Sequence, residues 1–173
     1  GIANVFARTI LPTKRYDNCV LESDEAYLSK IYDYITLDYL VVTNLFRDQL
    51  DRYGELDTTA KKIQSAIDKN KNLTLILNAD DPLVANLGKE NKRIYYGFDN
   101  IEFANTRTIS NAPAEMFNCI CGKQLKYSKR FYAQQGHYYC DCGYKRPECE
   151  YIGNAKILDE YIELSEIGRA SCR

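Results

Sequence analysis

The stretch Leu73-Thr74-Leu75-Ile76-Leu77-Asn78-Ala79-Asp80-Asp81-Pro82 decides how this chain is read. Its first five residues form an unbroken apolar and β-branched run, the pattern of a strand covered on both faces. Pro82 then stops any ladder, because it has no N–H to donate. The strand thus ends in an amide and two carboxylates. Upstream, Tyr39-Leu40-Val41-Val42-Thr43 repeats the pattern and runs into the polar cluster Asn44–Asp51. Asn18-Cys19-Val20-Leu21 reads as a further buried strand and runs into Glu22-Ser23-Asp24-Glu25. Ile94-Tyr95-Tyr96 reads as another strand. Between these runs, Ala26–Ile35 reads as a short helix. Leu56, Ala60, Ile63 and Ile67 recur at helical spacing, with Asp57 and Thr58 as candidate caps and Lys69-Asn70-Lys71-Asn72 as the stop.

Strands alternating with helices predict an α/β fold with a doubly wound, mostly parallel sheet. Ligands of such sheets bind beyond the carboxyl ends of the strands. The clusters Glu22–Glu25, Asn44–Asp51 and Asn78–Asp81 are therefore expected along one edge of the sheet.

The 173 residues carry 23 Lys and Arg against 24 Asp and Glu, a net charge of −1, so no global excess calls for a polyanion. A hydrophobic fraction of 45% and a charged fraction of 27% fit a globular chain rather than a disordered one. No apolar run approaches the roughly 18–20 residues of a membrane span, and the first residues lack the pattern of a secretory leader. There is no initiator Met, so the chain reads as an internal fragment. A cytosolic, reducing compartment is expected, because the cysteines are paired locally rather than spread as a disulfide framework.

Four of the seven cysteines form Cys119-Ile120-Cys121-Gly122 and Cys140-Asp141-Cys142-Gly143. Each pair is followed by a glycine, which permits positive φ in a tight turn. Residues 122–139 are long enough for a β-hairpin that brings the pairs together around one tetrahedral zinc ion. Four protein ligands close the site, so the zinc is expected to be structural. A redox dithiol is the alternative. Cys-x-Cys departs from the usual Cys-x-x-Cys spacing of ribbons. His137 reads as a loop residue rather than a ligand, and Cys149 as spare. The surrounding segment 117–146 is basic, with Lys123, Lys126, Lys129, Arg130, Lys145 and Arg146 against Asp141, and it is rich in Tyr and Phe. It is too small to hold a core without such a staple.

Thr43-Asn44-Leu45-Phe46-Arg47-Asp48-Gln49-Leu50-Asp51-Arg52-Tyr53-Gly54 resembles the Mur ligase pattern T-N-x-x-x-D-H-x-D-x-x-G, with Gln49 in place of His. Leu77-Asn78-Ala79-Asp80-Asp81-Pro82 is similar to the family's N-A-D-D segment, and Leu21-Glu22-Ser23-Asp24-Glu25 to its E-x-D-E segment. Gln49 and a cysteine ribbon resemble the branch that amidates lipid II. The resemblance covers about residues 1–165. It implies a central ATP-binding domain over 1–115, a zinc-ribbon insertion over 116–148 and a return to the central domain over 149–166. Residues 167–173 resemble a translated sequencing adapter and are set aside as non-native.

The resemblance further implies an ATP- and Mg²⁺-dependent ligase subunit. Its reaction would convert the D-Glu α-carboxylate of the lipid II stem peptide to D-isoglutamine through an acyl phosphate. Ammonia would come from a GatD-type glutaminase partner, and the work would take place at the inner face of the membrane. Glu22, Asn44, Asp48, Asn78, Asp80 and Asp81 are then the expected nucleotide- and Mg²⁺-binding residues, and Cys119, Cys121, Cys140 and Cys142 the zinc ligands. An anionic oxygen at a strand end, as at Glu22, suits Mg²⁺. Lys61 and Lys62 do not fall at the spacing of the family's carbamylated lysine. The family's phosphate loop would precede residue 1 and its catalytic acid would follow residue 166, so the fragment alone is expected to be inactive and no catalytic residue is assigned.

Plainer roles stand beside these. Glu22, Asp24 and Glu25 fit the first turn of a helix, where its dipole favours acids. Asp48, Asp51 and Arg52 fit a surface ion network. Asn78–Pro82 fits a turn in which the Asx side chains bond to backbone. A zinc-ribbon module that binds nucleic acid through basic and aromatic residues is the competing class, but residues 20–60 carry a net −6 that would repel a polyanion. Another Mur-type ligase, adding an amino acid instead of ammonia, is the third reading.

Overall fold

The computed structural model describes residues 18–45, 55–103, 118–132, 135–157 and 162–169. In chain order the elements are α1 (Glu25–Ile31), β1 (Tyr39–Val42), α2 (Glu55–Ile67), β2 (Thr74–Asn78), α3 (Pro82–Ala85), β3 (Lys92–Phe103), β4 (Lys126–Tyr132), β5 (Gln135–Tyr139), β6 (Tyr151–Ile157) and β7 (Ile162–Arg169). Five strands form one sheet in the order β1-β2-β3-β6-β7. The hairpin β4–β5 forms a separate sheet inserted between β3 and β6. The pairs β1–β2, β2–β3 and β3–β6 are parallel, and β7 closes the row antiparallel to β6. This is the mostly parallel α/β sheet with an inserted hairpin that the sequence predicts.

β2 has paired neighbours on both sides, and Leu75 and Leu77 are fully buried. They join Leu28, Val42, Leu45, Ile63, Ala66, Ile67, Leu73, Val84 and Leu87 in one core. Leu75 and Leu77 face this core, while Thr74, Ile76 and Asn78 alternate with them and are half-buried on the opposite face. Ile63, Ala66 and Ile67 of α2 lie on the core side, at the spacing of one helical face.

Asn91 fixes the other end of the β2 ladder. Its amide donates to the carbonyls of Asn70 at 2.9 Å and Leu73 at 3.2 Å, which closes the turn that ends α2.

The structure departs from the sequence reading in several places. Asn18–Leu21 is not a strand: Cys19 is exposed and Val20 is 97% exposed. Three apolar residues are too few for periodicity to distinguish a strand from a loop, and β1 among the described residues pairs only with β2. For the same reason Tyr39 and Val41 keep 64% and 55% of their surface exposed, so β1 is covered on one face only. α1 stops at Ile31, and the chain turns through Ile31–Tyr34. α2 begins at Glu55, which puts Asp57 and Thr58 inside its first turn rather than at a cap. β3 is far longer than Ile94–Tyr96, and it shifts register between Phe98 and Asn100. β7 carries the ladder into residues set aside as non-native, with Gly168 opposite Ile152 and Arg169 opposite Tyr151. Backbone pairing of this kind is indifferent to side-chain identity.

Leu75→Ala should lower the stability of the fold by roughly 2–5 kcal/mol, the cost of a cavity at a fully buried leucine. Chemical denaturation monitored by far-UV circular dichroism measures it.

Candidate metal centre and strand-end site

Two knuckles of the same construction meet at the base of the hairpin. In the first, Gly122 N–H donates to the Cys119 carbonyl at 2.8 Å and Cys119 N–H to the Lys123 carbonyl at 2.7 Å. In the second, Gly143 N–H donates to the Cys140 carbonyl at 3.0 Å and Cys140 N–H to the Tyr144 carbonyl at 2.7 Å. Gly122 and Gly143 have φ of 81° and 92°, which side-chain-bearing residues rarely adopt. The glycines are therefore the local reason that Cys-x-Cys suffices here, because the sharp turn comes immediately after the second sulfur.

The four sulfurs of Cys119, Cys121, Cys140 and Cys142 lie within 4.8 Å of one another, and none is in a disulfide. Sγ of Cys119 is 3.5 Å from that of Cys142, and Sγ of Cys121 is 3.6 Å from that of Cys140. A tetrahedral zinc with bonds of about 2.3 Å sets its thiolates about 3.8 Å apart. The donor set and its spacing therefore fit zinc. Backbone donation from Tyr144 pulls the Cys142 thiol down to about 7, whereas burial pushes Cys119 up. A divalent ion would favour the thiolate at all four positions. Lys126 pairs with Asp141 in the second knuckle at 2.8 Å.

His137, expected as a loop residue, lies in β5 instead. Its Nε2 donates to the Phe98 carbonyl at 2.9 Å. Cys149 is a buried free thiol, pushed up to about 11 by burial.

The hairpin packs onto the strand-end loop. Leu125, Tyr138, Cys119 and Cys140 form a small core with Ala85 of α3, backed by Tyr95, Tyr127 and Tyr144. Tyr144 donates its hydroxyl to the Pro82 carbonyl at 2.7 Å. Arg146 Nε donates to Asp80 Oδ1 at 2.6 Å, and Gly136 N–H donates to the Asp80 carbonyl at 2.9 Å. Arg146 Nη2 also reaches the Phe98 carbonyl at 3.2 Å.

The strand-end residues divide by what they hold. Asn78 Oδ1 accepts from Asp80 N–H at 2.9 Å, an Asx turn. Asp81 caps α3, accepting on Oδ1 from Leu83 N–H at 2.9 Å and Val84 N–H at 3.3 Å. Its Oδ2 accepts from Leu45 N–H at 3.2 Å, which ties the end of β1 to the end of β2. Asp80 is 2% exposed, and its Oδ2 accepts from Phe98 N–H at 2.7 Å. Burial pushes the Asp80 carboxyl up, and Arg146 with the Phe98 N–H pulls it back. Tyr96, behind these two carboxylates, is pushed up to about 12, chiefly by burial.

Asn44 stands beside this loop, half-buried, with Thr43 Oγ1 3.4 Å from its Oδ1. Glu22 is exposed, three residues before α1, and Glu25 opens that helix. Asp48 lies outside the described residues, as do Gln49, Asp51 and Arg52. Sequence reasoning missed Arg146 as a partner of Asp80. No local pattern signals a pair 66 residues apart across two sheets. Gly97 was missed too. A Cβ there would stand 2.6 Å from Arg146 Nη2 and 2.9 Å from both Asp80 oxygens, so the glycine leaves the room that the ion pair fills.

The Mur ligase middle domain model matches residues 6–133. The chain belongs to the Mur ligase family. It is 36% identical over 152 residues to the lipid II isoglutaminyl synthase (glutamine-hydrolyzing) subunit MurT of Staphylococcus aureus, and 39% identical over 160 residues to that of Streptococcus pneumoniae. Both alignments cover 87% of this chain and 34% of the relative, so the chain spans about a third of the length of the curated relatives it matches. Among solved structures, a pseudomurein peptide ligase type C from Methanothermus fervidus is similar with a TM-score of 0.53 and 29% identity, over 73% of this chain and 26% of that one. In this molecule the side chains of Asn78, Asp80 and Asp81 are engaged in shaping their own loop.

Cys140→Ser should release zinc and open the ribbon, because a structural zinc supplies the folding energy of so small a unit. Metal analysis and limited proteolysis within residues 118–146 measure both effects. Asp81→Ala should cost about 1–3 kcal/mol, since it removes a helix cap and leaves buried N–H groups without an acceptor. Denaturant titration gives the value.

Proposed function

We propose that this chain is part of the ligase subunit that amidates the D-Glu α-carboxylate of the lipid II stem peptide to D-isoglutamine. The observation that carries the reading is 36–39% identity, across 87% of the chain, to two curated lipid II isoglutaminyl synthase subunits from two genera. The four-thiol hairpin, set into a Mur ligase sheet, supports the same branch. The reaction activates the carboxylate with ATP as an acyl phosphate. Ammonia released from glutamine by a GatD-type glutaminase partner then displaces phosphate and leaves the amide. When bound, Mg²⁺ offsets the negative charge that gathers on the transferring phosphoryl group.

The part of this chain in that reaction is to present the edge of the nucleotide site. Asn78, Asp80 and Asp81 set the backbone of the β2–α3 turn through the bonds described above. Asn44, two residues past β1, is then available to meet nucleotide or Mg²⁺ at the sheet edge, and Glu22 and Asp48 join it on the family resemblance, because anionic and amide oxygens suit a hard cation. The ribbon zinc is structural: four thiolates leave no open coordination position for substrate. The substrate is membrane-linked, which places the work at the inner membrane face, and no helix among the described residues is long and apolar enough to cross a membrane.

The test uses the intact protein that carries these residues, together with its glutaminase, glutamine, ATP and lipid II. Mass spectrometry of the product should show a carboxylate converted to a carboxamide on D-Glu, dependent on ATP, with ammonium salts replacing glutamine and glutaminase. Addition of an amino-acid residue to the peptide instead would assign the chain to another Mur-type ligase.

A further inference from the structure

Asp80 belongs to the ligase sheet and Arg146 to the ribbon, yet the two form the most buried ion pair among the described residues. Their side chains are 3% and 13% exposed. A carboxylate at that depth is stable as a charge only while a counter-charge and hydrogen bonds hold it. Both conditions are met from the two sheets at once: Phe98 N–H from β3 on one oxygen and Arg146 Nε from the ribbon on the other.

Arg146 is delivered by the metal knuckle. It lies four residues after Cys142, and its own N–H donates to the Tyr138 carbonyl at 2.9 Å. Tyr138 packs with Cys119 and Cys140 in the ribbon core. Tyr144, between Cys142 and Arg146, accepts from Cys140 N–H through its carbonyl and reaches Pro82 with its hydroxyl. The backbone that shapes the second knuckle is thus the backbone that aims the guanidinium. Beyond Asp80, the next residue ties the turn to Leu45 at the end of β1.

We propose that Arg146 is a positioning residue that couples the four-cysteine site to the β2–α3 turn, so that metal loading of the ribbon fixes the strand-end loop of the ligase sheet. The coupling rests on the geometry of the two sheets and not on the amidation reading, and its main readout is independent of catalysis.

Hydrogen exchange on the intact protein tests it, before and after zinc is removed with a chelator. With zinc gone, protection should fall at Phe98, Leu83, Val84 and Leu45, whose N–H groups bond to Asp80 and Asp81, as well as in the ribbon. Arg146→Met should retain zinc and lower protection at the same amides, on the order of a hundredfold, as expected when a buried charge loses its partner. Arg146→Lys should fall between, since it keeps the charge and loses the planar fork. Asp80→Asn added to Arg146→Met should recover part of the protection by removing the orphaned charge, a rescue that simple loss of packing would not give.

Unchanged protection at Leu45, Leu83, Val84 and Phe98, while the ribbon amides exchange freely after chelation, overturns the proposal. That arm needs no variant and decides the matter if Arg146→Met does not fold. A double variant no better protected than Arg146→Met overturns it as well. If amidation is also measured, Arg146→Met should raise KM for ATP more than it lowers kcat. Failure of amidation in the unmutated protein would bear on the functional reading alone.

Discussion

A carboxylate buried where two sheets meet is the constraint on which the rest of this structure depends. Asp80 sits just past the end of a central parallel strand, at 2% exposure. Left alone there it would be costly as a charge and would protonate. Arg146 and the Phe98 amide make the site tolerable, and in doing so they specify where the ribbon goes. A buried pair of this kind is weak evidence for stability as such, because desolvation offsets much of the Coulomb attraction. Its value here is geometric: a hairpin of fourteen or so residues has many ways to lie on a sheet, and an ion pair with fixed hydrogen bonds at both ends admits few of them.

Two adjacent aspartates in one short motif therefore have different physical tasks. Asp81 satisfies backbone N–H groups at the start of α3 and at the end of β1, which keeps two strand-end loops in register. Asp80 faces the other way, toward β3 and the ribbon. Pro82 suits the first position of α3, where its missing N–H would have had no helical partner. The segment is a turn whose polar atoms are largely committed to the backbone around it.

What was legible in the sequence follows from the range of the interactions involved. The run Leu73–Leu77 gave away β2 because an unbroken apolar and β-branched stretch between polar turns marks a strand, and this one is paired on both sides. The four-cysteine cluster was legible because its thiols come as two local pairs, each closed by a glycine at positive φ. Asn18–Leu21 misled because three apolar residues carry no period. β6 and β7 were not resolved as separate strands: Tyr151–Ile157 mixes Gly, Asn and Lys into a strand whose pairing is set by backbone register with β3. Arg146 was illegible for a different reason. One arginine in a basic segment looks like its neighbours, and only the folded contact with a residue 66 positions away distinguishes it.

That distinction bears on the reading of the ribbon as a nucleic-acid module. Of its six basic residues Arg146 is turned inward and the other five are exposed, several of them engaged along the surface. Arg146 is paired to Asp80, Lys126 to Asp141, Lys129 donates to the Asp99 carbonyl, and Arg130 lies over the Tyr127 ring. The aromatics follow the same rule: Tyr138 is buried, and Tyr127 and Tyr144 are half-buried against the core that includes Cys119 and Cys140. A single-strand platform needs exposed rings in a row beside free cations. Here Tyr138 and its neighbours support the knuckles, and Arg146 and Lys129 fasten them to the ligase sheet, so docking accounts for part of the composition that suggested a polyanion surface. Charge and aromaticity in a small metal-stapled unit have two possible destinations, a ligand or the host domain, and the direction of the side chains in this molecule favours the host.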